Sequence, residues 1–132
     1  MMSLNEISYQ IRGAIFDVYN ELGPGLMENV YEKALIIELL NRGLHIENQV
    51  PIEVRYKGCD LGLQYRVDLL VSKQVIIELK SVEILLPVHY KQLITYLKLA
   101  QKPLGFLINF YTNSIKDNII RIANDTNHPG LN

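Results

Sequence analysis

Two apolar, β-rich runs that lie close together in the chain each carry ionised residues, and this combination limits the possible folds most. The runs cover residues 65–71 and 75–80, and only Ser72-Lys73-Gln74 separates them. Such a pattern predicts a β-hairpin. Burying a charge is costly unless it is paired or bound to a metal ion. Asp68 in the first run and Glu78 in the second therefore each need a compensating partner.

The length of the hairpin loop decides whether the two acids share a face of the sheet. With a three-residue loop, Val71 faces Val75, and counting back places Asp68 directly opposite Glu78, with Cβ atoms ~4.5–5.5 Å apart. A change of one residue in loop length would send the two side chains to opposite faces. We therefore predict an odd-length loop. Lys80 would lie ~6.6 Å beyond Glu78 on the same face.

These residue types suit metal-dependent hydrolysis of a phosphate ester. Oxygen ligands from Asp68 and Glu78 suit Mg²⁺ or Mn²⁺, which also keep water molecules and bind phosphate oxygens. The backbone carbonyl of Leu79 is a further candidate ligand. Lys80 would reach a metal-activated water or a phosphoryl oxygen and offset charge in the transition state. The alternative is purely structural: Glu78 pairs with Lys80 at the surface, and Asp68 pairs with Arg66.

Helical periodicity surrounds the hairpin. Apolar residues recur at steps of three and four from Leu4 to Leu22, and Ser3 and Glu6 have capping-box spacing. A second helix is expected over about residues 27–42, with apolar stripes wide enough to predict burial against both a sheet and the first helix. Pro87 suits the first turn of a third helix that runs through Ala100.

The remaining segments complete one α/β domain over residues 1–123. Residues 49–56 and 61–63 are predicted as strands joined by a turn at 57–60, residues 104–110 as a strand buried on both faces, and residues 119–122 as a short further element. The polar end, residues 124–132, is expected to be a loose tail.

Polar residues on two helices are further candidates for the site. Glu28 falls on one helical stripe with Tyr31 and Leu35, which predicts an inward-facing acid, although an acid in a first turn is also favourable for the helix dipole alone. On the third helix, Gln92 and Tyr96 form a polar row with the preceding histidine. They would hydrogen-bond a scissile phosphate or stack a base.

The ordered motifs resemble the GxxExxY proteins, a group within the PD-(D/E)XK nuclease superfamily. The resemblance runs from about Ile7 to Ile122 and rests on Gly25-x-x-Glu28-x-x-Tyr31, on residues 66–71, on Glu78-Leu79-Lys80, on Gln92-x-x-x-Tyr96-Leu97 and on residues 105–110. It implies a restriction-endonuclease-like core of a central four-stranded mixed sheet in α-β-β-β-α-β order, with an extra N-terminal helix. It also implies metal-binding Asp68 and Glu78, a catalytic Lys80, an added acid at Glu28, and substrate-positioning roles for Gln92 and Tyr96.

Composition narrows the function classes. The net charge of −1 argues against a protein that coats nucleic acid nonspecifically, but clustered acids that await a metal lower the charge of a nuclease too. The single cysteine excludes an internal disulfide, and with no export signal and no membrane-length apolar run it predicts a cytoplasmic protein.

Three functions remain open from the sequence. The leading hypothesis is a Mg²⁺- or Mn²⁺-dependent nuclease that binds DNA or RNA and uses a metal-activated water. The alternatives are a catalytically silent module that binds nucleic acid or protein, and a hydrolase of smaller phosphate esters. A protein partner or a homo-oligomer is compatible with each.

Overall fold

Three helices enclose a five-stranded mixed sheet in the computed structural model, which describes residues 1–124. The helices are α1 (Leu4–Leu22), α2 (Glu28–Asn41) and α3 (Pro87–Ala100); the strands are β1 (Ile46–Tyr56), β2 (Cys59–Val71), β3 (Val75–Lys80), β4 (Leu104–Asn109) and β5 (Ile119–Ala123). The strand order is β1-β2-β3-β4-β5, with β3 and β4 parallel and the other neighbours antiparallel. The predicted α/β class and N-terminal helix are confirmed. The sheet has five strands because the predicted element after β4 pairs with it.

Helix α1 begins at the predicted capping box. The Ser3 hydroxyl accepts a hydrogen bond from the Glu6 backbone at 3.2 Å, and the Ser3 N–H donates to the Glu6 carboxylate at 2.9 Å. These bonds satisfy two backbone donors that a helix start would otherwise leave free. Gly23, with φ 70°, ends the helix in a conformation that glycine adopts without strain.

Helix α2 is buried mainly along one stripe. Tyr31, Leu35 and Leu39 are fully buried, whereas Val30 and Ile37 are exposed. The predicted burial against both the first helix and the sheet is confirmed. The contact is made mainly through the first stripe, while the second stripe is buried only in part, at Ala34.

The sheet separates two apolar cores. One core lies under α1 and α2, and contains Val75, Ile77 and Leu79 from β3. The other lies under α3, and contains Ile76 from the same strand. This alternation follows from the two-residue period of a β-strand. Because β3 and β4 are covered on both faces, every residue of β4 is buried, as predicted.

The β1–β2 hairpin extends beyond the helices. The predicted four-residue turn is wrong: only Lys57-Gly58 connects the strands, and β2 runs unbroken from Cys59. Both turn residues have positive φ, 50° and 80°, as tight hairpin turns require. The first eight residues of β2 are exposed, which explains why their sequence gave no buried-strand pattern.

The end of the described chain is tied to the α3 side. Asn124 donates hydrogen bonds from its backbone to Pro103 at 2.8 Å and from its side chain to the carbonyls of Leu97 and Lys102. The rest of the predicted tail lies outside the described residues. Within residues 1–124, none of the helices has both the length and the hydrophobicity that a membrane span needs.

Candidate active site

The β2–β3 hairpin places Asp68 beside Glu78. The loop covers residues 72–74, Val71 pairs with Val75, and Leu69 pairs with Ile77, so the next position sets Asp68 opposite Glu78. The predicted odd-length loop is confirmed. Beyond Leu69, side chains replace the backbone ladder: the Leu79 N–H donates to Asp68 Oδ2 at 2.8 Å, and the Asp68 N–H donates to Glu78 Oε2 at 3.3 Å.

Glu78 is held in an unfavourable environment for a negative charge. Its side chain is buried, with 8% of the residue exposed. Burial raises the pKa of Glu78 from 4.5 to about 9, and the charge of Asp68 and a hydrogen bond with its carboxyl group add to the rise. The Asp68 N–H and the Lys80 ammonium oppose it. Glu78 therefore resists ionisation far more than an exposed glutamate does.

Ion pairing does not explain these acids. Among residues 1–124, the ion pairs within 4.0 Å join Asp17 to Arg42, Glu47 to His45 and Glu53 to Arg55. The structural alternative, in which Lys80 and Arg66 neutralise the two acids at the surface, is therefore wrong. Glu78 lies too deep for a surface pair.

Tyr96 of α3 is buried in the core under α3, near the two carboxylates. Its phenol has a raised pKa, first because of burial and then because of the nearby charges of Glu78, Tyr65 and Asp68. The ring of Tyr65, which is half exposed, lies 5.3 Å from the Tyr96 ring at an angle of 45°. Gln92, one turn earlier on α3, is exposed to the solvent. Tyr65 is not among the predicted site residues, because it precedes the buried part of β2.

A buried amide fixes the chain where β3 ends after Lys80. Asn109 is 2% exposed, and its side chain accepts from the Val82 and Tyr111 N–H groups and donates to the Val82 carbonyl at 2.8 Å. The Phe110 N–H also donates to the Lys80 carbonyl at 2.9 Å. A buried polar group is tolerated when all its hydrogen bonds are made. Asn109 thus holds together the two backbone segments that leave the sheet here, the one that follows Lys80 at the end of β3 and the one that follows β4.

The Gly25-x-x-Glu28-x-x-Tyr31 motif builds the loop beside this exit. The Tyr31 hydroxyl donates to the Gly23 carbonyl at 2.6 Å and accepts from the Leu26 N–H at 3.1 Å. Its ring stacks on Phe110, with centroids 4.2 Å apart. The Ser81 hydroxyl donates to the Leu26 carbonyl at 2.7 Å. Tyr31 is therefore a structural residue that joins the loop to Phe110, the residue directly after β4.

Glu28 does not share the inward stripe of α2. It is exposed, because it is the first residue of the helix and lies beyond the core that buries Tyr31. The predicted inward direction is wrong. Glu28 instead lines a cavity of about 630 Å³ together with Ser81 and Tyr111. Ser81 directly follows Lys80 in the chain, so this cavity lies next to the end of β3.

A second acid of α2 lies near Asp68. Glu32, half-buried, accepts a hydrogen bond from Gln49 Nε2 at 2.6 Å. Burial raises the pKa of Glu32, and the charge of Asp68 adds to the rise. Glu32 is not among the predicted site residues: it lies one turn after Glu28 and next to Tyr31, but no spacing in the sequence relates it to Asp68. No sequence pattern indicated Gln49.

The donor set fits a hard divalent cation. Within the described residues, no group of three or more histidine, cysteine or acidic side chains is placed to bind one metal ion. The site therefore offers the two carboxylates of Asp68 and Glu78. Mg²⁺ commonly takes one or two carboxylates and fills its other positions with water and substrate phosphate. Burial is the main cause of the raised pKa of Glu78, and a cation between the two acids would offset both this cost and the repulsion from Asp68.

Two comparisons with known proteins found similar chains. A family model described as the PD-(D/E)XK nuclease superfamily matches residues 5–122. A solved structure titled "Crystal structure of SSO0001" is 15% identical, with a TM-score of 0.49, over 92% of this chain and 76% of that one. No match was found among curated proteins.

Proposed function

The chain belongs to the PD-(D/E)XK nuclease superfamily, and we propose that it is a divalent-metal-dependent nuclease that hydrolyses phosphodiester bonds in DNA or RNA. The observation that carries the proposal is the juxtaposition of Asp68 and Glu78 with Lys80 close by. Two acids that lie side by side on adjacent strands, with no ion-pair partner within 4.0 Å among the described residues, are costly for the fold. That cost is expected where the acids serve a bound cation.

Asp68 and Glu78 are the proposed metal ligands, with the Leu79 carbonyl as a third. The Leu79 N–H donates to Asp68 Oδ2, which fixes the orientation of the carboxylate that would bind the cation. A bound Mg²⁺ or Mn²⁺ would supply the Lewis acidity that activates a water and polarises the phosphate. Preorganised ligands need no rearrangement when the cation binds.

Lys80 and the surrounding side chains are proposed to act on the substrate. The Lys80 ammonium is near enough to Glu78 to lower its pKa, and it is half-buried, so it would stabilise the charge that develops on the phosphate. Tyr96 and the exposed Gln92 would position the phosphate or a base. Glu28, in the cavity after Lys80, is proposed as an added acid that contacts the bound cation or its water molecules.

Cleavage assays test this proposal. Purified protein is incubated with single-stranded and double-stranded DNA and with RNA, in Mg²⁺, Mn²⁺ or chelator. Cleavage is expected only with metal, and Asp68→Asn and Lys80→Ala should each lower it by at least about 100-fold. Lys116→Ala, an exposed lysine outside the site, is the matched control and should cleave normally.

The outcomes separate the alternatives. Equal activity of wild type and Asp68→Asn would assign the cleavage to a contaminant. Metal binding without cleavage of any polymer, but with hydrolysis of a nucleotide or a simple phosphodiester, would favour the smaller-substrate hydrolase. Absence of metal binding at millimolar concentration would favour the silent binding module.

A further inference from the structure

Gln49 adopts a strained backbone conformation opposite Asp68. Its φ is 52°, the left-handed region, in the middle of strand β1. The pairs on either side, Asn48 with Leu69 and Val50 with Val67, set Gln49 across from Asp68. Residues other than glycine rarely adopt positive φ. Such strain persists only where the surrounding structure enforces it, and it often accompanies a functional site.

The Gln49 side chain is bound to an acid from another element. Its amide donates to Glu32 Oε1 of α2 at 2.6 Å. The two residues thus join the helix layer to the edge strand at the level of Asp68. A solvent-exposed hydrogen bond contributes little to stability and would not by itself maintain a strained backbone. The strained conformation of Gln49 is explained if the site requires the Glu32 carboxylate to point in one direction.

We propose that Glu32 and Gln49 are a positioning pair for the cation site, in which Gln49 directs the Glu32 carboxylate toward Asp68 so that its charge strengthens cation binding. The inference rests on the proposed function, since it concerns the same site. Glu32 would act through Asp68 or through water molecules. Mutation of groups that surround metal ligands in this way commonly lowers metal affinity by about 10- to 100-fold in other proteins.

Metal titration tests the role of Glu32 without any substrate. Mn²⁺ binding to the full chain is measured by calorimetry for wild type, Glu32→Gln and Glu38→Gln. The last variant removes the same charge from the same helix, at a position six residues away from Glu32. Glu32→Gln is expected to weaken Mn²⁺ binding roughly 10-fold, whereas Glu38→Gln should change it less than about twofold.

Gln49→Gly separates positioning from a structural role. Glycine adopts the observed φ without strain, so this variant should unfold in urea at the same or a higher midpoint than wild type. It should nevertheless weaken Mn²⁺ binding, because Glu32 loses the amide that directs it. The double variant should bind no more weakly than Glu32→Gln alone, since the two residues act as one unit.

Three results would decide against the pair. Unchanged Mn²⁺ binding in Glu32→Gln would overturn the inference and leave the metal site intact. Equal weakening by Glu32→Gln and Glu38→Gln would reduce the effect to net charge. A loss of stability without a loss of Mn²⁺ affinity would make the pair structural. Failure of wild-type protein to bind Mn²⁺ would instead refute the proposed function itself, and the inference with it.

Discussion

Replacing Glu78 by glutamine is expected to stabilise the metal-free protein and to remove its response to divalent cations. Glutamine has nearly the same volume and keeps an oxygen that can accept the Asp68 N–H. It has no charge to bury. The wild-type acid is 8% exposed and has a pKa raised to about 9, first by burial and then by Asp68.

The magnitude follows from proton linkage. In the unfolded chain Glu78 ionises near 4.5, whereas the folded protein keeps its proton until about 9. Between these values the native state binds more protons than the unfolded state, so stability falls as pH rises. Below 4.5 both states are protonated and this loss is absent. At about 1.4 kcal/mol per pH unit, the loss reaches about 3 kcal/mol at pH 7.

Urea unfolding in chelator measures this difference at pH 5 and pH 7. Glu78→Gln should exceed wild type in free energy of unfolding by less than about 1 kcal/mol at pH 5 and by about 3 kcal/mol at pH 7. Mg²⁺ should stabilise wild type by mass action and leave the variant unchanged. The control Glu83→Gln, at an exposed position, should follow the wild-type pH dependence. Equal pH dependence in wild type and Glu78→Gln would refute the explanation.

Two further substitutions test the scaffold around the site. Tyr31→Phe keeps the stacked ring but removes the hydroxyl that bridges Gly23 and Leu26, so urea unfolding should show a loss of about 1–2 kcal/mol; an unchanged midpoint would show that the loop does not need the bridge. Gly105→Ala would bring a Cβ atom to 2.9 Å from Leu93 of α3, and should cost about 1–3 kcal/mol by overpacking; no loss would mean that the leucine rotates away.

Strong periodicity made most elements predictable. Helix α3 occupies Pro87–Ala100 as expected, because proline marks its first turn and its apolar spacing is regular. Strand β4 was predictable because both of its faces are covered. Where a segment lacks a buried face, prediction failed: β2 begins at Cys59 without a break. Helix α2 packs against α1 and the sheet as expected, but over fewer residues than its apolar stripes suggest.

The candidate site was predictable in part, for a physical reason. Asp68 and Glu78 belong to one hairpin, so loop length alone fixes their register. Asn109 and Glu32 reach the site through contacts between elements distant in the chain, which local spacing does not encode. The direction of Glu28 was wrong because helical periodicity does not show where the core ends along the helix axis.

Strand β2 rotates near Asp68, and this rotation explains how the Asp68 carboxylate can lie near both helix layers. Val67 packs in the α3 core and Leu69 in the core of α1 and α2, although residues two apart in a regular strand share a face. The strand therefore rotates at Asp68, and β1 rotates with it at Gln49, between Ile46 in one core and Val50 in the other.

Burial is the main cause of the raised pKa values of Glu32 on α2 and Tyr96 on α3, and the charge of Asp68 adds to both, so Asp68 lies near both helices. A flat strand would direct the acid toward one layer only. The rotation interrupts the backbone ladder, and the Asp68 carboxylate itself accepts the Leu79 N–H at this point. Asp68 thus loses its backbone pairing with β3 but replaces it with a hydrogen bond from its own side chain. The carboxylate that would bind the cation therefore also holds β2 and β3 together where their backbones separate.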